Sequence, residues 1–255
     1  MVKGLTHFAD FFKNFTANYI LIGGAACDVL MNKVGVNFRA TKDLDIILIV
    51  EAISPEFVKQ FWEYIKEGNY NVKQKSIEER NYYRFLKPTN NKFPAQLELF
   101  ARNPDLLDLD SDAGLTPIPV EEDLSSLSAI LMNEDYYKFT LDNSEIIDNV
   151  HLASTESLIC LKAKAYLDLN LRKKSGQTID DKNIRKHKTD VVRLAVLLAQ
   201  NSSSILPKAV FNDMQQFMDE ITKEGIDFKA IGKNMGLQNL NGQLIIEQIK
   251  KTFGL

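Results

Sequence analysis

Apolar residues are distributed differently along the two parts of this chain. The first part carries short unbroken apolar runs, and the last carries apolar positions at helical spacing. Residues 5–16 place Phe8, Phe11, Phe12 and Phe15 at helical spacing, which predicts a short amphipathic helix. Tyr19–Ile22 reads as a compact strand stopped by Gly23-Gly24, and AACDVLMNK continues as a helix. IILIV, residues 46–50, is a second buried strand. Pro55 opens a helix whose apolar stripe is Phe57, Val58, Phe61, Trp62 and Ile65. YYRFL (82–86) and AQLELFA (95–101) predict strands flanking KPTNNKFP, a hairpin-like unit. The order α-β-α-β-α-β-β implies a mixed sheet flanked by helices, an α/β (α+β) class.

Residues 103–123 are acidic and carry three prolines and a glycine, so they read as an exposed loop or linker. A further strand pair is expected in YYKFTL (136–141) and around His151. From Thr155 onward the spacing is helical, with Leu158, Leu161, Ala165 and Leu169 on one face. VVRLAVLLA (191–199) reads as a nearly all-apolar helix. Another begins at Pro207, with Val210, Met214, Phe217 and Ile221 on one side, and a last one spans about Leu240–Thr252. No internal repeat is present. The expected organisation is an α/β domain over 1–150 and a helical domain over 151–255.

Composition narrows the classes without choosing among them. The chain has 255 residues, 45% hydrophobic and 25% charged, which suits an ordinary globular protein able to bury its own core. Cys27 and Cys160 lie far apart in apolar surroundings, so buried reduced thiols are expected rather than a metal site. The opening residues lack the long apolar core of a signal peptide, and no window approaches 18 apolar residues, so a cytoplasmic protein without a membrane span is expected. A net charge of −3 does not advertise a nucleic-acid binder, yet it conceals a segregation. Residues 162–193 hold ten Lys/Arg against four Asp/Glu, a balance of +6, which leaves −9 for the remainder.

Candidate chemistry is concentrated in two stretches. Glycines between a strand and a helix let the backbone approach a ligand, and the helix start offers free N–H groups that suit a triphosphate. Glycine at such a position can equally be a plain turn. In FRATKDLDIIL (38–48), Asp43 and Asp45 are two apart on an extended segment, so both project to one face and Leu44 to the other. Two carboxylates that close repel unless a cation or a proton lies between them. Hard oxygen donors at this spacing suit Mg²⁺, though a solvated turn capped by aspartates would show the same residues.

The order strand, Gly23-Gly24, helix, RATKDLDI, strand resembles the signature of the nucleotidyltransferase superfamily with the polymerase-beta-like core. The resemblance implies that Gly23 and Gly24 hold a nucleoside triphosphate such as ATP. It also implies that Asp43 and Asp45 bind Mg²⁺ in a one- or two-metal site, and that Arg39 and Thr41 belong to the motif preceding them. A third carboxylate comes from a later strand in that superfamily. Glu98 in QLELF is the candidate here, where relatives more often have Asp; a solvent-facing residue on a half-exposed strand is the other reading. Asp105 is a poorer alternative. Arg39, Lys42, Lys162 and Lys164 are candidate charge partners for the triphosphate or an acceptor.

The segment TESLICLKAKA together with KHKTDVVRLAVLL resembles the AbiEii-like branch of these enzymes, the toxin members of bacterial abortive-infection and toxin–antitoxin pairs. The matching positions are Lys162 to Ala165 and the basic run Lys186 to Asp190, with His187 standing where relatives often carry Asp. That resemblance implies nucleotide contact for Lys162 and a positioning role for Asp190. Without it, Lys162 reads as a snorkelling side chain and Asp190 as the cap of a helix at 191–199. The expected activity is Mg²⁺-dependent transfer of a nucleoside monophosphate to an acceptor hydroxyl of tRNA, another RNA or an aminoglycoside-like small molecule, with an antitoxin protein as a partner. A nucleotide-binding regulator of reduced catalysis is the rival reading.

Overall fold

The structure is a computed structural model that describes residues 2–71, 82–100, 130–131 and 133–255. Its described residues fall into two compact units. One lies within Met1–Val29, Ala40–Val120 and Ser144–Ala153, the other within Leu30–Arg39, Glu121–Asn143 and Ser154–Leu255. Among the described residues there are six strands and nine α-helices.

The first unit is built on one mixed sheet. Its strands are β1 (Tyr19–Ile22), β2 (Asp43–Leu48), β3 (Tyr82–Leu86), β4 (Gln96–Phe100), β5 (Ser144–Ile147) and β6 (Val150–Ala153). They lie in the order β3-β4-β2-β1-β6-β5. The pairs β2/β4 and β1/β6 are parallel, and the others are antiparallel. Tyr19 to Ile22 and Leu44 are fully buried, as continuous apolar strands in a covered sheet should be. Asp148 and Asn149 join β5 to β6 with positive φ at both positions, 48° and 63°, the geometry of a two-residue hairpin turn that favours Asn and Asp.

Helices α1 (Leu5–Phe12) and α3 (Pro55–Gly68) supply the aromatic layer of this unit. Ser54 caps α3 by accepting from the Phe57 N–H at 3.2 Å, and Pro55 occupies the first turn, where its missing N–H costs nothing. Phe8 meets Tyr19 and Tyr64 edge-on, at centroid separations of 5.2 and 5.7 Å. Each fully buried ring such as Phe12 or Phe61 contributes roughly 1.5–3 kcal/mol by leaving water. The acidic segment 103–123, with Asp105, lies outside the described residues.

In the second unit, every regular element after Ser154 is helical: α5 (Thr155–Lys174), α6 (Asp181–Ala195), α7 (Lys208–Glu224), α8 (Phe228–Asn234) and α9 (Gly242–Phe253). Residues Ser157 to Ala163 are all buried, so α5 is covered on every side and its polarity gives little amphipathic signal. Tyr166 on α5 stacks edge-to-face on Phe217 of α7 at 5.3 Å. None of the helices among the described residues is long and apolar enough to cross a membrane.

Two local expectations are overturned here. YYKFTL forms no strand; it lies in helix α4 (Glu134–Asp142). Asn133 caps that helix through Asp135 N–H at 2.9 Å, two acids follow in the first turn, and Tyr136, Tyr137, Phe139 and Thr140 bury at helical spacing. The local alternation of aromatics imitates a strand, but the cap signal precedes it. Likewise no helix starts at 191. Asp180 caps α6 by accepting from the Lys182 N–H, and α6 ends at Ala195, so Asp190 stands inside the helix and is not its cap.

Candidate active site

The sheet register sets carboxylates beside one another. Asp45 on β2 lies opposite Ile22 of β1 and opposite Glu98 of β4, while Glu98 lies opposite Arg84 of β3. One row across four strands therefore reads Ile22, Asp45, Glu98, Arg84, all on one face because cross-strand partners share a face. Along β2, Asp43 and Asp45 are half-buried and Leu44 is fully buried, the two-residue alternation of a strand.

Gly23 follows Ile22 directly and opens helix α2 (Gly23–Lys33). Its φ is +67°, and a Cβ at this position would coincide with Oδ2 of Asp45. Any side chain would therefore collide with the carboxylate, and the left-handed backbone would strain it as well. The Cys27 thiol donates to the Gly23 carbonyl at 2.9 Å, one turn into α2. Gly24 is buried behind Gly23. The glycine turn and Asp45 are thus in direct contact.

Glu98 is 3% exposed, so the half-exposed strand position is excluded. Its Oε1 accepts from Arg84 Nε at 2.9 Å and from Gln96 Nε2. Burial, the neighbouring Asp45 and a hydrogen bond to that residue push its carboxyl up to about 9, with Asp43 adding to the rise and Arg84 opposing it. Burial and Asp45 thus bias Glu98 towards its protonated form. Among the described residues, no group of three His, Cys, Asp or Glu stands in metal-holding geometry. The donor chemistry nevertheless fits a hard cation, since two neighbouring carboxylates on one face can share Mg²⁺.

Thr41 is half-buried and Lys42 exposed, both in the irregular segment leading into β2. The remaining predicted positions belong to the second unit. There Asp190 is fully buried and accepts from Arg39 through Nε at 3.1 Å to each oxygen and through Nη2 at 2.9 Å. Arg193 Nη1 donates to its Oδ1 at 2.9 Å, and Lys162 Nζ lies 3.8 Å from Oδ2. Burial alone would raise the Asp190 carboxyl, but Lys162, Arg39 and Arg193 outweigh it and hold the group below the ordinary range. Lys162 is thus an ion-pair member inside α5 rather than a snorkelling side chain. Lys164 pairs instead with Asp213 at 2.9 Å, and Tyr136 also donates to that carboxylate.

His187 sits on α6 with its Nδ1 shut away from solvent and without a hydrogen-bond partner among the described residues. Burial first, and Lys162 second, hold its imidazole well below the ordinary value, so it remains neutral. The structure thus brings Gly23, Asp45 and Glu98 together in one unit, and Arg39, Lys162 and Asp190 in the other. Arg84, Gln96 and Arg193 complete these clusters. An arginine inside the apolar strand YYRFL is a signal for the first, because a buried guanidinium needs a carboxylate.

The chain is similar to the solved structure of an antigenic nucleotidyltransferase-like protein from Paracoccidioides brasiliensis, at 14% identity and a TM-score of 0.47 over 96% of this chain and 99% of that one. No family model matches the chain, and no curated protein matches it.

Proposed function

We propose that this protein is a nucleotidyltransferase that moves a nucleoside monophosphate from an NTP to an acceptor hydroxyl. One observation carries the reading: the glycine turn at Gly23 presses on Asp45, and Asp45 adjoins Glu98. A phosphate-sized ligand at the glycine backbone and a cation at the carboxylates would then be neighbours, which is the arrangement phosphoryl-type transfer needs.

Asp43, Asp45 and Glu98 are the residues that would hold Mg²⁺. Bound there, Mg²⁺ supplies charge neutralisation for the triphosphate and acidifies the acceptor hydroxyl. Gly23 and Gly24 leave room for phosphate oxygens against the backbone. The acceptor oxygen bonds to the α-phosphorus, the bond to the β-phosphate bridge breaks, pyrophosphate leaves, and an ionised carboxylate of the site takes the hydroxyl proton. In the helical unit, Arg39, Lys162 and Arg193 gather three cations around the single carboxylate of Asp190. That grouping suits an anion, either nucleotide phosphate or an RNA backbone. The AbiEii-like toxin branch, an RNA acceptor such as tRNA and an antitoxin partner belong to the same reading.

The test incubates the full chain with each labelled NTP, Mg²⁺ and total RNA or an aminoglycoside. Label should enter one acceptor, and Asp43→Asn and Asp45→Asn should each reduce transfer to background while thermal unfolding stays cooperative. Undiminished transfer in both variants overturns the assignment. A second reading, a nucleotide-binding regulator, is favoured by one observation, namely that Glu98 stands where the superfamily more often has Asp. It predicts Mg²⁺-dependent nucleotide binding with no pyrophosphate release.

A further inference from the structure

We propose that Arg84 is a positioning residue for the cation site. Together with Gln96 it occupies one oxygen of Glu98, makes that carboxylate a one-oxygen ligand, and so favours Mg²⁺ over Ca²⁺. The inference rests on the reading that Asp45 and Glu98 hold a divalent cation. Arg84 and Glu98 are cross-strand partners on β3 and β4, and their side chains are only 8% and 3% exposed. Gln96 lies two residues before Glu98 on β4 and therefore on the same face.

Both donors reach the same atom. Arg84 Nε donates to Oε1 at 2.9 Å, and Gln96 Nε2 donates to Oε1 as well. A carboxylate oxygen has two lone-pair positions, so these two donors use up Oε1. Oε2 is the oxygen that neither donor occupies. Chelation of one cation by both oxygens of Glu98 would require Arg84 or Gln96 to let go, and burial leaves Arg84 without a water to turn to. Ca²⁺ accepts six to eight ligands and readily takes a carboxylate through both oxygens. Mg²⁺ demands six in near-octahedral array and binds carboxylates singly. Closing Oε1 therefore removes a ligand that the larger ion would use and the smaller would not. Arg84 also holds the Glu98 plane in a fixed orientation, which spares the cation the entropy of ordering it.

The two roles open to Arg84 differ in sign. As a mere nearby positive charge it would repel a cation, so its removal would tighten binding. As a positioning residue its removal would loosen Mg²⁺ and Mn²⁺ while opening Oε1 to Ca²⁺. The experiment titrates the full chain with Mn²⁺ under electron paramagnetic resonance, then displaces it with Mg²⁺ and with Ca²⁺. Wild type, Arg84→Met, Gln96→Met and Asp45→Asn are compared, with circular dichroism melts to show folding. Arg84→Met should weaken Mn²⁺ about tenfold, in line with other residues that orient metal ligands, and should raise Ca²⁺ affinity relative to Mg²⁺ at least severalfold. Gln96→Met frees one lone pair without touching charge, so it should shift the Ca²⁺/Mg²⁺ ratio the same way by less, and it decides the matter if Arg84→Met fails to fold. An unchanged ratio in folded variants, or tighter Mn²⁺ binding by Arg84→Met, overturns the inference alone. Wild type that binds no Mn²⁺ overturns the cation reading and this inference with it.

Discussion

Glu98 and Asp190 are both buried carboxylates paired with arginine, yet their surroundings push them in opposite directions. Around Glu98 there are two acids, Asp43 and Asp45, against Arg84, and the group is driven up to about 9 by burial and by Asp45. Around Asp190 there are three cations, Arg39, Lys162 and Arg193, and they hold its carboxyl below the ordinary range in spite of burial. Desolvation is common to both, so the local charge count decides the outcome. The sheet cluster has surplus negative charge that a proton relieves. In the helical cluster cations surround the carboxylate instead. The first is suited to receive a cation and the second an anion.

The largest effect that can test this contrast is expected at Asp190. Asp190→Ala removes the buried carboxylate that three cations share and should cost about 3–5 kcal/mol in urea unfolding. The contribution of Asp190 is present above pH 3.8 and is lost as pH falls through its lowered value, so the deficit should shrink in acid. A cost below about 1 kcal/mol would show that the cluster is solvated and that the contrast fails.

Gly23→Ala should come next. It places a methyl group where Asp45 Oδ2 stands and forces alanine to φ +67°, whereas Gly35, at φ +72°, has nothing within 4 Å of a Cβ. Gly35→Ala should therefore cost only the backbone term of about 1 kcal/mol, and Gly23→Ala more, with loss of nucleotide transfer as well. Equal melting temperatures for the two variants would separate the glycine turn from Asp45.

The smallest effect is expected at Glu98 itself in mild acid, where the folded and the unfolded chain both hold it protonated and its protonated form resembles glutamine. Glu98→Gln should change stability by under about 1 kcal/mol near pH 4 in the absence of divalent cation, yet remove cation binding at neutral pH. A raised carboxyl stabilises the fold fully below its ordinary 4.5 and loses that contribution as pH rises towards 9. The stability of wild type relative to Glu98→Gln should therefore fall between pH 5 and pH 9. A flat difference would mean that Arg84 keeps Glu98 ionised, and the two carboxylates would then behave alike.

Some elements were readable directly from residue spacing. Strands β1, β2 and β4 and helices α3 and α7 follow from apolar period and from Pro55 and Pro207, because their neighbours in sequence carry the signal. Helix α8 gave too short a pattern, and α4 was hidden by aromatic alternation that Asn133 and its following acids should have outweighed. The Asp148-Asn149 hairpin turn was likewise written in two adjacent residues. By itself, then, the chain determined the mixed α/β class and the shared face of Asp43 and Asp45, since both depend on local periodicity; that Glu98 is buried and needs a partner was decided by the assembled sheet.

Only the tertiary structure decided which partner each charge received. Arg84 reaches Glu98 through the pairing of β3 with β4, and Arg39 reaches Asp190 across 151 positions of sequence. No local rule encodes such distances, because strand register and helix packing are settled by the whole core at once. Whether a buried carboxylate keeps or gives up its proton follows from those distant neighbours, and so does the kind of ligand that each cluster can take.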